Sequence, residues 1–462
     1  MVQHRSPRDK AGRSRRPIAV IVAIALIAAL AIGGGVVWSW RARHGRALAQ
    51  CESARNGLIA ETDALRKAVE SSSSVMSVSP SSLEDAGVLA TARAEVQSSR
   101  QLIDRTAGDD YACSGEMTAD ELDSRTVAIA EAADRARKQT KTLPVEAAAV
   151  RRSTANKSNE AVRYTLRAAV SQAKELLSDT SGKVTDDSTR VRLKRLADAA
   201  DRQLTDDETI SDGAEYRRSI DGLNAAMDAV TTSNIAKLGV DCAKAKCVAL
   251  TFDDGPDATN TPPVIRALQE TGTVATFFSV GQHIDERTAP MLRQLRDSGH
   301  PIENHTWDHP HLRTLSRSDV ASQLTRTSAL VEKTVGAYPS MIRPPYSEWS
   351  NDVRDQAVAM NSSIINFDVM GFDWEKDAKG VHDAVLQWTR PGDIVLLHDL
   401  QGSTAQAVKG IIDDLKAEGF TFVTIEQLLG ERPKPGYVYY SRTQVVRPGE
   451  SWRPSTYFAE QW

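Results

Sequence analysis

The feature that most constrains the fold of this chain is a change of pattern near residue 240. Beyond it, short apolar runs that end in polar residues alternate with helical segments, at residues 248–252, 275–280, 364–368, 394–397 and 420–425. Strands that alternate with helices are typical of a parallel α/β sheet. In such sheets, functional side chains collect at the carboxyl ends of the strands. The sequence therefore predicts an α/β domain over residues 241–431 with a site at that edge.

The N-terminal part of the chain contains an uncharged apolar stretch at residues 18–37. About 20 helical residues, at roughly 1.5 Å each, are enough to cross a hydrocarbon core of about 30 Å. Six basic residues and one acid precede the stretch, and this basic excess favours a cytoplasmic N-terminus. We predict a cytoplasmic segment over residues 1–17 and a transmembrane helix over residues 18–40, with the rest of the chain extracellular. A cleaved signal peptide is the alternative.

Residues 41–240 are predicted to form an all-α region. Apolar residues recur there at helical spacing, as in Val162, Leu166, Val170 and Ala173. Breaks in the pattern at residues 71–82 and near Pro144 suggest about five helices in two antiparallel sets. No His, Asp or Glu in this region is spaced like a metal ligand. We interpret it as an extracellular stalk or small bundle, with a partner-binding helical module as the alternative.

Four cysteines fall into two pairs, Cys51 with Cys113 and Cys242 with Cys247. An exported chain meets an oxidising environment in which disulfides persist, so two bridges are expected. The sequence leaves three connectivities open. Metal binding by these cysteines is the weaker interpretation, because a C-x4-C spacing alone lacks a second ligand pair nearby.

The overall charge gives no indication of a nucleic-acid partner. The chain has 57 basic and 61 acidic residues, a net charge of −4. Specificity must therefore come from a local site. The C-terminal tail, residues 432–462, is rich in Tyr and Trp, and we expect it to pack on the α/β domain, with contact to sugar rings as the alternative.

Two motifs place candidate metal ligands after predicted strands. The run from Asp253 through Asp254 to Gly255 and Pro256 delivers two adjacent carboxylates into a turn. His305 and His309, four residues apart, would lie on one face if the segment were helical. Two imidazoles and one carboxylate leave an open coordination position, as in hydrolytic zinc sites. Each motif alone has an ordinary explanation as a turn or as a surface histidine pair.

Three further motifs follow in the chain. They are Arg343-Pro344-Pro345-Tyr346, Phe372-Asp373-Trp374 and Leu396-Leu397-His398-Asp399. The order and spacing of all five resemble the NodB-homology polysaccharide deacetylases, carbohydrate esterase family 4, over roughly residues 245–430. The resemblance implies a distorted (β/α) barrel with seven or eight strands. It also implies metal-dependent hydrolysis of acetyl groups on a polysaccharide.

The resemblance further implies a metal site and a general base. Asp254, His305 and His309 match the family's metal ligands, most often for Zn²⁺. Asp253 matches the base that accepts a proton from the attacking water, whose pKa a metal ion lowers.

The remaining roles are also carried over by resemblance. His398 matches the acid that protonates the departing amine, and the backbone N–H of Tyr346 would stabilise the oxyanion together with the metal. Arg343 is expected to orient Asp253. Asp373 is suited to keep His398 charged, although whether it faces His398 or Arg343 stays open. Trp374 and Leu396 are expected to wall a pocket for the acetyl methyl group.

The sequence departs from the family pattern at two positions and leaves the substrate open. Ser347 stands where glycine usually follows the tyrosine, and Glu303 stands where glycine is common before the first histidine. The predicted location favours cell-wall peptidoglycan, and its N-acetylglucosamine in particular, as substrate. N-acetylmuramic acid, another acetylated glycan or an O-acetyl ester are alternatives, as is a non-catalytic wall-binding module.

Overall fold

The computed structural model describes residues 16–205 and 213–451, with side chains from residue 35 onward. The predicted cytoplasmic segment and most of the predicted transmembrane stretch 18–40 therefore lie outside the described side chains, as do Trp452 and Trp462. Among the residues that could be examined, no helix is both long and apolar enough to cross a membrane.

The chain divides into two compact units, residues 1–157 and 158–462. Five long helices precede the first strand in the part of the chain that is described, as the sequence predicts. They are α1 (Arg16–Ser72), α2 (Gly87–Ala107), α3 (Ala119–Asp179), α4 (Ser188–Thr205) and α5 (Gly213–Leu238). The division falls inside α3, within the predicted helical region 41–240.

The predicted break at Pro144 is wrong, because α3 runs through it without interruption. Proline removes one helical hydrogen bond and usually kinks or ends a helix. Here Leu143, Ala147 and Val150 are fully buried on either side of it. Their packing explains why the helix continues. The break predicted at residues 71–82 is present, since α1 ends at Ser72 and short 3-10 turns follow.

Both predicted disulfides are present. Cys51 of α1 is bonded to Cys113, which lies just before α3, within the first unit. Cys242 is bonded to Cys247 at the start of the first strand. The first unit is otherwise held by apolar contacts among α1, α2 and α3, with Leu58, Leu65 and Leu122 fully buried.

In the second unit, helices pack directly on the α/β domain. The Tyr164 and Tyr338 hydroxyls lie 2.7 Å apart, and Thr165 Oγ1 donates to the Ala359 carbonyl over 2.8 Å. Ala168 is buried in the same apolar cluster as Tyr338. The helical segment from residue 158 to α5 is therefore part of the same compact unit as the sheet.

Ten strands of the described chain form one sheet. They are β1 (Cys247–Asp253), β2 (Thr276–Ser279), β3 (Ile302–Asn304), β4 (Met341–Ile342), β5 (Ser363–Ile365), β6 (Val369–Met370), β7 (Ile394–His398), β8 (Thr421–Phe422), β9 (Val438–Tyr439) and β10 (Val445–Val446). The helices among them are α6 (Thr261–Thr271), α7 (Ala289–Asp297), α8 (Arg317–Val335), α9 (Asn351–Ala359), α10 (Ala378–Trp388), α11 (Gly402–Ala417) and α12 (Ile425–Leu429).

The sheet is an open half-barrel, whereas a distorted barrel of seven or eight strands was expected. Its order is β10-β9-β5-β4-β3-β2-β1-β7-β6, with β8 paired to β1 outside this order. All pairings are parallel except that of β9 with β10. The edge strands β6 and β10 are only two residues long and are not paired with each other in the described sheet. The α/β class and the strand positions are confirmed, and closure is not.

The core explains the position of the site. All seven residues of β1 are buried, as expected for a central parallel strand covered on both faces. Apolar side chains such as Leu250 and Phe252 pack against the surrounding helices, and Phe278 and Leu396 face a second cluster. Tyr439 and Tyr440 of the C-terminal tail are buried, so its described part packs on the domain as predicted.

Candidate metal and catalytic site

The first strand and its neighbour bring a carboxylate and an imidazole together. Asp253 ends β1 and pairs in register with His398 at the end of β7. Asp254 follows in a left-handed conformation, with φ of 71°. At Gly255 a Cβ atom would lie 2.2 Å from the Asp399 carboxylate, so this position accepts only glycine. The turn predicted from the sequence is thus required by close packing against Asp399.

The candidate metal ligands converge as the motifs predict, but not by the helical geometry that their spacing suggests. Residues 305–311 form a loop after β3. Thr306 and His309 adopt left-handed conformations, with φ of 68° and 59°. These bends bring the Nε2 atoms of His305 and His309 each to 3.3 Å from Asp254 Oδ1.

The donor atoms fit a metal ion. Ligands at about 2.0–2.1 Å in tetrahedral geometry lie roughly 3.3–3.5 Å from one another, close to the observed spacing. Asp254 Oδ1 is buried and has no hydrogen-bond partner among the described residues. The Nδ1–H of His305 donates a hydrogen bond to the Arg343 carbonyl oxygen over 2.6 Å. Its Nε2 atom therefore carries the lone pair that can bind a metal ion. The three residues form the one cluster of this kind in the described chain.

Asp254 is held in its charged form. Burial alone would raise the pKa of its carboxyl group, but the interaction with His305 and the charges of the three nearby imidazoles lower it well below its usual range. A divalent cation binds an ionised carboxylate and neutral imidazoles, so binding an ion here would displace protons from the histidines.

Arg343 contacts Asp253, the residue that it was expected to orient. Its Nη1 lies 2.7 Å from Asp253 Oδ1, and the same nitrogen donates to Thr251 Oγ1 over 2.7 Å. Its remaining nitrogens donate to the carbonyls of Ile365 and Asn366. The guanidinium is completely buried. Asp253 is therefore fixed by a partner that has no freedom to move.

Asp373 contacts His398, not Arg343. His398 Nδ1 lies 2.7 Å from Asp373 Oδ1, and the His398 backbone N–H donates to Oδ2 over 2.6 Å. Thr404 also donates to this carboxylate. Burial opposes the charged imidazolium, but Asp373, with Asp253 and Asp254 beyond it, raises the pKa of His398 to about 9. His398 is thus protonated at neutral pH in the absence of a metal ion.

Tyr346 lines the same cavity as Asp254 and His309. The N–H groups of the two residues after it, Ser347 and Glu348, close the turn onto the carbonyls of Pro344 and Pro345. Tyr346 and Ser347 have φ of 57° and 56°. Glycine would adopt this conformation without strain, so the backbone at Ser347 favours the glycine that is usual at this position in the family.

A cavity of about 400 Å³ adjoins these groups. Tyr346, Trp374 and Leu396 line it, with Phe367 and Met370. Trp374 is 44% exposed and meets the His398 ring edge-on at 5.5 Å. All ten residues named from the sequence therefore lie together, and their roles in catalysis stay predictions.

Several residues that position the site were not found from the sequence. Gln323 of α8 accepts hydrogen bonds from the backbone of Trp307 and Asp308, and Asn304 accepts one from Thr306. Isolated Asn and Gln residues carry no spacing signal that could have revealed them. Glu303 is buried, accepts a hydrogen bond from the Met341 N–H over 2.8 Å, and its pKa is raised by burial.

The chain is similar to known proteins over its C-terminal part. A family described as "Polysaccharide deacetylase" matches residues 241–364. The peptidoglycan-N-acetylglucosamine deacetylase of Listeria monocytogenes is 35% identical over 43% of this chain and 42% of its own length. That of Bacillus cereus is 33% identical over 39% of this chain and 67% of its own length. The peptidoglycan-N-acetylmuramic acid deacetylase PdaC of Bacillus subtilis is 33% identical over 40% and 38%.

The share of each relative's length that is aligned decides how far the similarity applies to this chain. The alignments cover less than half of the Listeria and B. subtilis relatives. Two thirds of the B. cereus protein is matched at 33% identity. The chain belongs to the polysaccharide deacetylase family.

Proposed function

We propose that this protein is a metal-dependent deacetylase that hydrolyses the N-acetyl group of peptidoglycan N-acetylglucosamine, releasing acetate and leaving a free amine. One observation carries the proposal. Asp254, His305 and His309 direct their donor atoms to a common point. Beside that point lie a carboxylate fixed by arginine and an imidazole fixed by a second carboxylate.

Zn²⁺ is the proposed ion, since two imidazoles and one carboxylate with an open position suit a hydrolytic zinc site. When bound, the ion would act as a Lewis acid toward water and toward the acetyl carbonyl.

Two side chains of the protein carry out the proton transfers, and one backbone N–H stabilises the negative charge. Asp253, oriented by Arg343, accepts a proton from water as the water oxygen attacks the carbonyl carbon. The Tyr346 N–H donates a hydrogen bond to the oxygen on which negative charge develops. His398 begins as the imidazolium and gives its proton to the amide nitrogen as the carbon–nitrogen bond breaks. The products are acetate and an amine.

The choice of substrate rests on the relatives and on the cavity. Two of the relatives described above are named for N-acetylglucosamine of peptidoglycan, and one is named for N-acetylmuramic acid. The apolar walls formed by Trp374 and Leu396 suit an acetyl methyl group, whose burial is favourable by roughly 1 kcal/mol. N-acetylglucosamine is the proposed sugar, and the muramic residue is the competing result of the test below.

The location is proposed from the sequence. We propose a single N-terminal membrane helix with a cytoplasmic N-terminus and the remainder outside the cell. The uncharged stretch 18–37, its basic flank and the two disulfides support this arrangement. In intact cells, externally added protease should degrade the C-terminal domain and leave an N-terminal tag protected. A protected C-terminal domain would refute the topology.

Acetate release is the test of the proposed activity. The full chain, purified in detergent, should release acetate from peptidoglycan after loading with Zn²⁺, lose this activity on chelation and regain it on adding Zn²⁺ back. Mass spectrometry of the digested glycan should show glucosamine, whereas free muramic amine would reassign the sugar. With metal bound, absence of acetate from peptidoglycan, chitin oligomers and acetylated xylan would refute catalysis and leave the wall-binding alternative.

A further inference from the structure

Two loops meet beside the site, and one of them is strained. The metal loop (residues 305–311) carries His305 and His309, and the oxyanion loop (residues 344–348) carries Tyr346. Tyr346 and Ser347 are consecutive left-handed residues. A left-handed conformation is unfavourable for a non-glycine residue, so other contacts must hold this turn in place.

Burial of the Tyr346 side chain does not hold this turn in place. The Tyr346 side chain is 56% exposed, although it is among the largest apolar groups near the site. The turn itself contributes two backbone hydrogen bonds, from Ser347 to Pro344 and from Glu348 to Pro345, at 3.2 and 3.0 Å. Hydrogen bonds of a single turn that is open to water are individually weak.

The metal loop supplies the missing contact. The His311 ring stacks on the Tyr346 ring with centroids 3.9 Å apart and planes within 12° of parallel. His309 meets the same tyrosine edge-on at 4.8 Å. His311 is followed by Leu312, which is 1% exposed, so its backbone is anchored in the core.

Glu348 adds a second contact between His311 and the oxyanion loop. His311 Nδ1 lies 3.3 Å from Glu348 Oε2. Glu348 lies two residues after Tyr346, so His311 touches the oxyanion loop on both sides of Ser347. A ring held at two points on either side of a strained residue restricts that residue's backbone.

We propose that His311 is a positioning residue, which clamps Tyr346 and thereby holds the left-handed turn that aims the Tyr346 N–H at the reacting carbonyl. The inference rests on the proposed function for its catalytic consequence, but not for its structural one. The His311 clamp (His311, Tyr346 and Glu348) offsets the strain at Ser347, the position where this chain departs from the glycine common in its family.

A competing role would use the same rings. Exposed aromatic faces also contact sugars, and a platform of this kind would contribute to substrate binding. The two roles differ in kinetics, because loss of an oxyanion donor lowers kcat whereas loss of uniform substrate contacts raises KM.

The first test does not depend on activity. Amide hydrogen exchange of Ser347 and Glu348 reports on the turn directly, because both amides are bonded within it. In His311→Ala these two amides should exchange roughly tenfold faster, whereas His311→Phe, which keeps a stacking ring, should leave them within about twofold of the parent. His382→Ala, a change on α10, is the matched control. Unchanged exchange in His311→Ala would overturn the clamp, whether or not the protein releases acetate.

The second test separates positioning from binding. With equal bound metal, His311→Ala should lower kcat for acetate release roughly tenfold at nearly unchanged KM, and His311→Phe should restore most of it. Adding Ser347→Gly to His311→Ala should recover part of the loss, since glycine needs no clamp. A rise in KM alone, or no recovery by Ser347→Gly, would contradict the positioning role. A parent without any acetate release would refute the proposed function, and the exchange result would still decide the clamp.

Discussion

Six residues around the site have left-handed backbone conformations although none of them is glycine. They are Asp254, Thr306, His309, Tyr346, Ser347 and Phe372. Such conformations persist only where the surroundings fix them, as where Thr306 N–H donates to Asn304 Oδ1 over 2.8 Å and His309 N–H donates to Thr306 Oγ1 over 3.2 Å. The geometry of the donor atoms is therefore built into the backbone before any ion binds.

Substitution of Asp253 should lower turnover alone, whereas substitution of His305 should lower both zinc binding and turnover. Asp253→Asn keeps the shape of the side chain and the three metal donors but removes the proton acceptor. It should bind Zn²⁺ like the parent and lose on the order of 10²–10⁴-fold in kcat. His305→Ala removes a donor atom and should lose both the ion and turnover. Bound zinc by mass spectrometry and acetate release measure the two properties.

The control for these variants is a histidine outside the site. His382→Ala, on α10, should keep both zinc and activity. Parent-like turnover in Asp253→Asn would remove Asp253 from the mechanism, and full zinc content in His305→Ala would remove His305 from the metal site.

The pairing of His398 with Asp373 predicts a pH effect. As the acid, His398 must be protonated, so activity should fall as pH rises through its pKa. Asp373 is a main cause of the raised pKa, about 9 without metal, and a bound cation would lower this value. Asp373→Asn removes the negative charge and should move the alkaline limb of kcat/KM to lower pH. The limb should move by about one unit or more.

Thr404→Val is the matched control for this shift. It removes one hydrogen bond to the Asp373 carboxylate but leaves its charge, so the alkaline limb should move much less. An alkaline limb that stays in place in Asp373→Asn would mean that another group sets it.

At the scale of elements, a side chain of α8 is hydrogen-bonded to the metal loop. Gln323 Oε1 accepts from the backbone of Trp307 and Asp308, and its Nε2 donates to Asp308 Oδ1 over 2.8 Å. Gln323→Leu should therefore loosen the segment between the two histidines. We expect zinc affinity to fall roughly 10–100-fold, as for other partners outside the ligand shell.

Chelator competition measures that affinity. Ser322→Ala, one residue away on the exposed face of the same helix, should leave it unchanged. Equal affinity in Gln323→Leu and Ser322→Ala would show that the loop needs no support from Gln323.

The strands and the site residues were predictable from the sequence for a physical reason. Buried parallel strands are continuous apolar runs, and β1 and β7 appear in the sequence as such runs followed by ionisable residues. The five motifs then named ten residues that the structure brings together. The failures arose where tertiary contacts override local pattern, as at Pro144, which packing keeps inside α3.

The geometry of the metal loop was the other failure. A four-residue histidine spacing fits a helix, yet the donor atoms meet through two left-handed residues whose supports, Asn304 and Gln323, have no local signature. Whether Asp373 contacts His398 or Arg343 also depended on the tertiary structure. No single sequence carries that information.

At the scale of the second unit, a buried amide network joins the helices to the α/β domain. Asn361 Nδ2 donates to Gln172 Oε1 over 2.7 Å, and Asn361 and Asn224 exchange hydrogen bonds over 3.0 Å. Arg432 extends the network to Asn224 and to Asp228. Polar groups this deeply placed are costly unless all are paired, so the network specifies one arrangement of α3 and α5 on the domain.

Asn361 tests whether this network stabilises the unit, because the residue is 2% exposed and left-handed, with φ of 52°. Asn361→Ala removes its bonds and strains the backbone, and should lower the free energy of unfolding by about 3 kcal/mol. Asn361→Gly removes the bonds alone and should cost less.

Urea unfolding followed by tryptophan fluorescence suits the measurement, since six of eight tryptophans lie beyond residue 300. Exposed Asn351→Ala should change stability by less than about 0.5 kcal/mol. Equal midpoints for Asn361→Ala and Asn351→Ala would mean that apolar packing alone holds the helices on the domain.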